Sequence, residues 1–368
     1  MLDQGRISSV QLFLLLVLVE AATAFLYAPS AVIEMAGRDS WLSSTIIPSI
    51  FGLAVALVCI ALAKRFPQQV FTEYLPQILG GIPGKILAAI YTAVFIHYTA
   101  VIISQGSTFI HVAFLRETPL AVIDIIGALA SIYGVYLGIE VIARQNELTS
   151  PIWMLSFIVI LFLVAKEINP DNFRPILENG IMPVIKGSTL VSPFRGEVFL
   201  LLMLFPYLNK KKEVYKTVLY FLLATTAIAG ILSATIIGVF GDIIPVYMVF
   251  STYDLARYIS VAQFLERIQI LIVVMWMAGI IVKMAVFYHS AAIAAATTLG
   301  LKNYRVTLLP ILAATIIISR VFYGDQLSLT NFLFNIYPYY GFAVGLLLPT
   351  LVLLIALIFK KGGKLQDD

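Results

Sequence analysis

Residues 192 to 199 read SPFRGEVF, and residues 26 to 32 read LYAPSAV. Each stretch interrupts a long apolar run. Proline removes a backbone donor from a helix and glycine relaxes the backbone, so both stretches are candidates for locally unwound helix. Paired interruptions in the two halves of a membrane protein indicate a binding site near the middle of the membrane. A simple kink at Pro29 explains the first stretch equally well.

The composition around these stretches is that of an integral membrane protein. Of the 368 residues, 61% are hydrophobic and 12% are charged, against roughly 25% charged residues in a soluble domain. Apolar windows that exceed the roughly 20 residues needed to cross a bilayer recur from Leu12 to Phe359. We therefore predict one transmembrane domain over residues 1–368, with the lipid bilayer as its surroundings and no nucleic acid as a partner.

Charged and Pro/Gly-rich stretches divide the chain into ten predicted spans. An A-x-A-like AATA at 21 to 24 could instead end a secretory signal. We favour a first transmembrane helix, because the apolar pattern continues to Met35 and many later spans could target the chain. The predicted spans lie near 9–34, 41–63, 84–114, 119–137, 141–165, 188–208, 215–240, 266–295, 304–322 and 332–359.

Lysines and arginines predict the orientation. With the N-terminus inside, fourteen of the 24 basic residues fall on the cytoplasmic side, which the positive-inside rule favours. Both termini should then be cytoplasmic. The long connections at 166–187 and 241–265 should lie outside, as short helices over a vestibule or as plain loops. The eight basic residues on the outer side are Arg38, Arg116, Lys166, Arg174, Lys186, Arg257, Arg267 and Arg320.

Four ionisable residues fall deep within predicted spans: Glu20, Arg195, Glu197 and Lys283. Each costs about 2.5 to 3.5 kcal/mol on insertion scales, so such groups normally face a bundle interior and find partners. Their charges sum to zero. They could form internal salt bridges that only brace the helices. They could also line a hydrated pocket that binds a zwitterion or carries a proton.

Helical spacing orients two of the spans. Gln269, Trp276 and Lys283 are seven residues apart and share one stripe of span 8, which should point inward. Tyr98 and Gln105 share a face of span 3 with Ile102, and could serve a pocket or simply pack.

Enzyme signatures are lacking. The sequence has no phosphate-binding loop, zinc-protease, hydrolase or dinucleotide motif. Cys59 is the only cysteine, which excludes an internal disulfide and a cysteine metal cluster. We expect no catalytic activity, no cofactor and no metal site.

Four stretches together resemble the B subunit of spore germinant receptors. They are ERIQILIVVMWMAGIIVKMAVFY at 266–288, FRGEVFLLLMLFPYLNKKK at 194–212, RQNELTSP at 144–151 and FLRETP at 114–119. That family belongs to the amino acid, polyamine and organocation transporter superfamily, and the similarity covers essentially the whole chain. It implies an all-α fold of the LeuT type, with ten transmembrane helices, a five-plus-five inverted repeat, and helices 1 and 6 broken around a central site.

The resemblance also implies a function. In the family this subunit sits in the spore inner membrane with an A subunit and a lipoprotein C subunit. It binds a small nutrient, often an amino acid or a sugar, and starts germination. A proton-coupled amino acid permease is the alternative, with Glu20, Glu197 or Lys283 as proton carrier. A purely structural partner of the A subunit is a weaker third possibility.

Carried onto this sequence, the resemblance implies a ligand pocket and a site of coupling or bracing charge. We hypothesise that Lys283 replaces the cation that sodium-coupled members hold between helices 1 and 8, and that it pairs with Glu20 or with carbonyls of helix 1. Phe25 and Tyr27 depart from the glycine-rich break of many transporters, which suits a small ligand or a sensor. The pocket residues would be Ala22, Thr23, Phe25, Leu26, Tyr27, Tyr98, Ile102, Phe194, Arg195, Gly196 and Glu197, with Glu20, Lys283 and Trp276 as the charged site and its neighbour.

Overall fold

A computed structural model describes residues 2–258 and 268–363, and this part of the chain is almost entirely helical. It contains ten helices long and apolar enough to cross a membrane, as predicted. Spans 1 to 5 are Ser9–Ala36, Ile46–Arg65, Gly81–Ala113, Leu120–Leu137 and Ile139–Val164. Span 6 begins with Met182–Gly196, spans 7, 8 and 9 are Val214–Phe240, Ile268–Leu299 and Leu308–Phe322, and span 10 runs from Gln326 to Ile358.

Spans 1, 6 and 8 form the centre of the bundle. In their most apolar windows 78%, 89% and 83% of residues are buried by protein, against 28% to 33% in spans 4, 5, 9 and 10. A helix that is apolar all round must be covered on all sides, and these three are covered by other spans rather than exposed. The deep charged residues therefore lie on the innermost helices.

Span 6 is interrupted where the sequence predicts. The helix Met182–Gly196 is followed by a 3-10 turn at Glu197–Leu200 and a short helix at Leu201–Leu204. Pro193 lacks a backbone donor, and Gly196 approaches its neighbours so closely that a Cβ there would lie 2.6 Å from Cε1 of Phe51. The tight packing holds the turn in place.

Span 1, in contrast, has no unwound segment, so the expected break at LYAPSAV was wrong. The helix is continuous from Ser9 to Ala36 with Pro29 inside it. Proline frees the carbonyl four residues earlier, which is that of Phe25. The Thr252 hydroxyl donates a hydrogen bond to this carbonyl, so the helix loses one internal bond without unwinding.

Span 10 carries two wide turns that the sequence did not indicate. Phe332–Ile336 and Ala343–Leu347 are π-helical, and they flank the regular helix Tyr337–Phe342. The Tyr91 hydroxyl donates to the carbonyl of Val344, with 2.7 Å between the oxygens. Wide turns of this kind are frequent at functional sites.

The long connections contain short helices rather than plain loops. A 3-10 turn occupies Pro170–Phe173, and a second one, Ile244–Tyr247, precedes a helix at Ser251–Tyr258 that we term the connecting helix. Residues 259–265 of the second connection, and the first two residues predicted for span 8, lie outside the described residues.

The N-terminal segment covers the opposite end of the bundle. Ile7 pairs with the backbone after span 6, where its amide lies 2.9 Å from the carbonyl oxygen of Tyr207. Asp3 Oδ2 lies 2.9 Å from both the backbone nitrogen of Ile139 and Nε2 of His289. Three spans thus meet under this segment.

Candidate functional site

The four deep charges form two buried ion pairs. Arg195 Nε lies 2.7 Å from Oε1 of Glu20, and Lys283 Nζ lies 2.8 Å and 2.7 Å from Oε1 and Oε2 of Glu197. All four side chains are at most 3% exposed. Each charge is thus neutralised by its partner, which makes its burial tolerable.

Lys283 pairs with Glu197, whereas we expected it to pair with Glu20 or with carbonyls of helix 1. Its ammonium also donates to the hydroxyl of Thr23, at 2.6 Å, and lies about 6 Å from two aromatic rings. Glu197 Oε1 accepts a second hydrogen bond from the Tyr337 hydroxyl, at 2.8 Å. One ion pair therefore joins spans 1, 6, 8 and 10.

Arg195 points to the other side of span 6. Its Nη1 lies 2.7 Å from the hydroxyl of Ser49 in span 2 and 3.1 Å from that of Thr226 in span 7. The Arg195 stem lies against Gly52, where a Cβ would come within 2.5 Å of Cγ. The Arg195–Glu20 ion pair is therefore enclosed by spans 1, 2, 6 and 7.

A narrow cavity lies beside Glu197, between spans 3, 6 and 10. Its volume is about 10 Å³, so one water molecule barely fits in this conformation. The lining residues are His97, Tyr98, Val101, Ile102, Gln105, Phe194, Glu197, Phe332, Leu333, Tyr337 and Tyr340.

Four of the predicted pocket residues line the cavity: Tyr98, Ile102, Phe194 and Glu197. Arg195 and Gly196 are not among its lining residues, since they face the other neighbours of span 6.

The five predicted residues of span 1 are buried but do not line the cavity. Thr23 holds Lys283, and the Tyr27 hydroxyl donates to the carbonyl of Gln105 at 2.6 Å. Ala22 packs towards Gly279 of span 8, and the Phe25 ring lies 6.2 Å from that of Trp153. Leu26 is 1% exposed.

Trp276 lies inward, as its spacing predicts. It is 3% exposed, and its ring meets that of Trp153 edge-on at 6.4 Å. Its indole nitrogen has no hydrogen-bond partner among the described residues. The side chain of Gln269, the third residue of the predicted stripe, lies outside the described part of the chain.

Sequence reasoning missed the contribution of span 10. Phe332, Leu333, Tyr337 and Tyr340 form one wall of the cavity. A signal was available, because NIYPYYGF at 335–342 places three tyrosines and a proline within one span. His97 also belongs to this wall: its Nε2 lies 2.6 Å from the hydroxyl of Tyr323, and its Nδ1 lies 3.2 Å from that of Tyr340.

The cavity offers aromatic faces and a few hydrogen-bonding groups. The rings of Tyr98 and Tyr340 stack with centroids 5.5 Å apart, and Tyr337 stands at 68° to Tyr98. The amide nitrogen of Gln105 is buried without a partner among the described residues. A lining of aromatic side chains with a few polar groups is typical of ligand-binding sites. Residues 2–258 and 268–363 contain no cluster of three His, Cys, Asp or Glu that could hold a metal ion.

The ten helices, the broken sixth span and the site beside it define a protein with the LeuT-type transporter fold. Two solved transporters are similar over nearly the whole chain. Mhp1, a nucleobase-cation-symport transporter with bromovinylhydantoin bound, matches with a TM-score of 0.61 and 14% identity over 98% of this chain and 81% of its own. MhsT in complex with L-phenylalanine matches with a TM-score of 0.64 and 13% identity over 94% and 88%.

The chain belongs to the spore germination protein family, whose model matches residues 6–326. Spore germination protein KB of Bacillus subtilis is 27% identical, over 98% of this chain and 96% of the relative. Spore germination protein XB of Bacillus anthracis is 24% identical, over 90% and 92%. The family expected from the sequence motifs is therefore confirmed.

Proposed function

We propose that this protein is the membrane subunit of a nutrient germinant receptor, and that it binds a small nutrient beside Glu197, in a cavity that widens to admit it, since in this conformation the cavity barely holds one water molecule. Binding then triggers germination. The observation that carries the proposal is the cavity itself, because it lies on the interrupted span 6 of a transporter-like fold in a spore germination protein. The subunit acts in the spore inner membrane with both termini in the cytoplasm, and with a receptor A subunit and a lipoprotein C subunit as partners.

The electrostatics of the site favour a ligand with no net charge. Glu20, Arg195, Glu197 and Lys283 already neutralise one another in pairs. An ion entering alone would leave one unpaired charge in a buried site, which is expensive. Amino acids with neutral side chains, as zwitterions, and sugars both avoid that cost.

A proton-coupled amino acid permease is the second candidate, favoured by the two buried carboxylates in a transporter fold. Uptake of labelled amino acids into proteoliposomes by this chain alone would support the permease. A germinant response without uptake would support the receptor.

Two neighbouring tyrosines test the cavity. Tyr337 is 3% exposed and donates to Glu197, whereas Tyr339 is 78% exposed. Spores carrying Tyr337→Phe should need at least roughly tenfold more germinant, since a hydrogen bond to a charged group, worth about 1.5 to 3 kcal/mol, is lost beside the cavity. Tyr339→Phe is the matched control and should respond normally.

The assay is dipicolinate release against germinant concentration, first across a panel of amino acids and sugars, with immunoblots to establish equal amounts of protein. An unchanged response of Tyr337→Phe at equal abundance would contradict binding in this cavity.

A further inference from the structure

Pro29 leaves a specific gap in the hydrogen bonding of span 1. In an uninterrupted helix the amide of residue 29 would donate to the carbonyl of Phe25, but proline has no amide hydrogen. Both residues are buried, so water does not readily take over this role. The Phe25 carbonyl is therefore an acceptor that needs a partner from elsewhere in the protein.

The partner comes from the connecting helix, Ser251–Tyr258, which precedes span 8 in the chain. Thr252 Oγ1 lies 2.5 Å from the carbonyl oxygen of Phe25. The inner face of this helix is buried, with Thr252 and Ala256 1% and 2% exposed, while Tyr258 is 51% exposed. The helix thus lies with one face against the bundle and the other open.

Aromatic rings hold the start of the connecting helix in the same place. The Phe250 ring lies edge-on to those of Tyr27 and Phe109, with centroids 5.0 Å and 5.1 Å apart. Tyr253 packs on Phe109 at 5.7 Å. These contacts are apolar and tolerate sliding, whereas the Thr252 hydrogen bond is directional.

A short path leads from this contact to the cavity. Tyr27, two residues after Phe25, donates to the carbonyl of Gln105, and Gln105 lines the cavity. The position of the connecting helix and the shape of the cavity are therefore linked through span 1.

We propose that Thr252 is a positioning residue that latches the connecting helix onto span 1, and that Pro29 creates the acceptor for this latch. When the connecting helix moves away, one hydrogen bond breaks and the rest of span 1 stays helical. The latch concerns the position of the connecting helix and not the identity of the ligand. The proposal therefore applies whether the cavity receives a germinant or a transported substrate.

The test measures how readily the connecting helix opens. Cys59 is the only cysteine and is buried, so Cys59→Ala gives a cysteine-free background. Ala256→Cys then places a thiol on the buried face of the connecting helix. The rate at which a membrane-impermeant maleimide labels this thiol in the purified full-length protein reports opening.

Thr252→Val keeps the shape and removes the hydroxyl, and should raise the labelling rate roughly fivefold, the ratio expected for one lost hydrogen bond. Thr252→Ser keeps the donor and should label like the parent. A second reporter, Ser40→Cys, lies at a buried site outside the connecting helix, in the short helix Ser40–Ser43 that packs on spans 6 and 7. Its labelling should be the same in every variant, which separates opening from general unfolding.

The decisive comparison uses Pro29→Ala. Alanine restores an amide that can donate to the Phe25 carbonyl from within span 1, so this carbonyl no longer needs the hydrogen bond from Thr252. Thr252→Val should then change labelling less than twofold in the Pro29→Ala background. Equal effects in both backgrounds, or no effect of Thr252→Val with Pro29 present, would overturn the proposal. If the valine variant does not accumulate, Thr252→Ala is compared in the same two backgrounds.

Discussion

Replacing Lys283 with methionine removes one charge from the buried ion pair that joins spans 1, 6, 8 and 10. Glu197 would keep the hydrogen bond from Tyr337 but lose both contacts to the ammonium. Breaking a buried ion pair from one side costs about 3 to 5 kcal/mol, because the remaining charge is buried without its counterion. Total stabilities are about 5 to 15 kcal/mol, so Lys283→Met should be folded but much weakened.

A double variant isolates the pair itself. Lys283→Met with Glu197→Gln removes both charges and keeps an acceptor for Tyr337. We expect the double variant to lose only about 1 to 2 kcal/mol, for hydrogen bonds that are not replaced. Each single variant should lose about 3 to 5 kcal/mol, so the coupling between the two positions should be several kcal/mol.

The assay is reversible unfolding of the purified protein in mixed micelles with increasing sodium dodecyl sulfate. If the double variant loses as much as the two single variants added together, the ion pair does not stabilise the fold and the reasoning is refuted. The same variants separate bracing from signalling. Lys283→Met should abolish the germination response while the protein remains in the membrane, and the restabilised double variant should stay unresponsive; recovery of the response would mean that Lys283 only braces the helices.

Two further changes test the packing around the site and the N-terminal segment. Gly52→Ala should destabilise the protein by about 1 to 3 kcal/mol in the same unfolding assay, since its Cβ would lie 2.5 Å from Cγ of the fixed Arg195. Gly127→Ala is the control, because its nearest contact would be 3.8 Å away. Burial alone would raise the pKa of Asp3, but the hydrogen bond and charge of His289 and the amides of Ile139 and Gly5 lower it to about 2. Because the pKa of Asp3 is lower in the folded state, this group stabilises the protein above the unfolded pKa of 3.8, and the contribution of about 2 kcal/mol is lost as the pH falls from about 4 to about 2. Asp3→Asn should remove this contribution at neutral pH, so that the stability of the variant falls less steeply with acid in unfolding measurements at a series of pH values. The same acid dependence in the variant and the parent would contradict the assignment.

The sequence contains enough information for the number of spans and for the inward faces. Ten apolar windows and the period of the helix are local properties, which is why Lys283, Trp276 and Tyr98 were correctly placed inside. The interruption of span 6 was also local, because Pro193 and Gly196 alter the backbone where they stand.

Pairing partners depend on contacts between distant segments and could not be derived in this way. We expected Lys283 to pair with Glu20 or with carbonyls of helix 1, and only the packing of spans 1, 6 and 8 shows that Glu197 is its partner and that Glu20 binds Arg195. The same holds for Pro29: whether a proline breaks a helix depends on whether another group takes up the freed carbonyl. Here Thr252, more than 200 residues away in the chain, does so.

Both deep ion pairs include a residue of span 6, and they hold this span from two sides. Arg195 and Glu197 are two residues apart at the end of a helix, where a step of about 100° per residue directs them to nearly opposite sides. One therefore binds Glu20 on span 1 and the other binds Lys283 on span 8. Span 6 is held by opposite charges on its two sides, and only the Glu197 side opens onto the cavity. A group that enters the cavity and binds Glu197 would weaken the ion pair with Lys283 of span 8, while the ion pair between Arg195 and Glu20 of span 1 would stay intact.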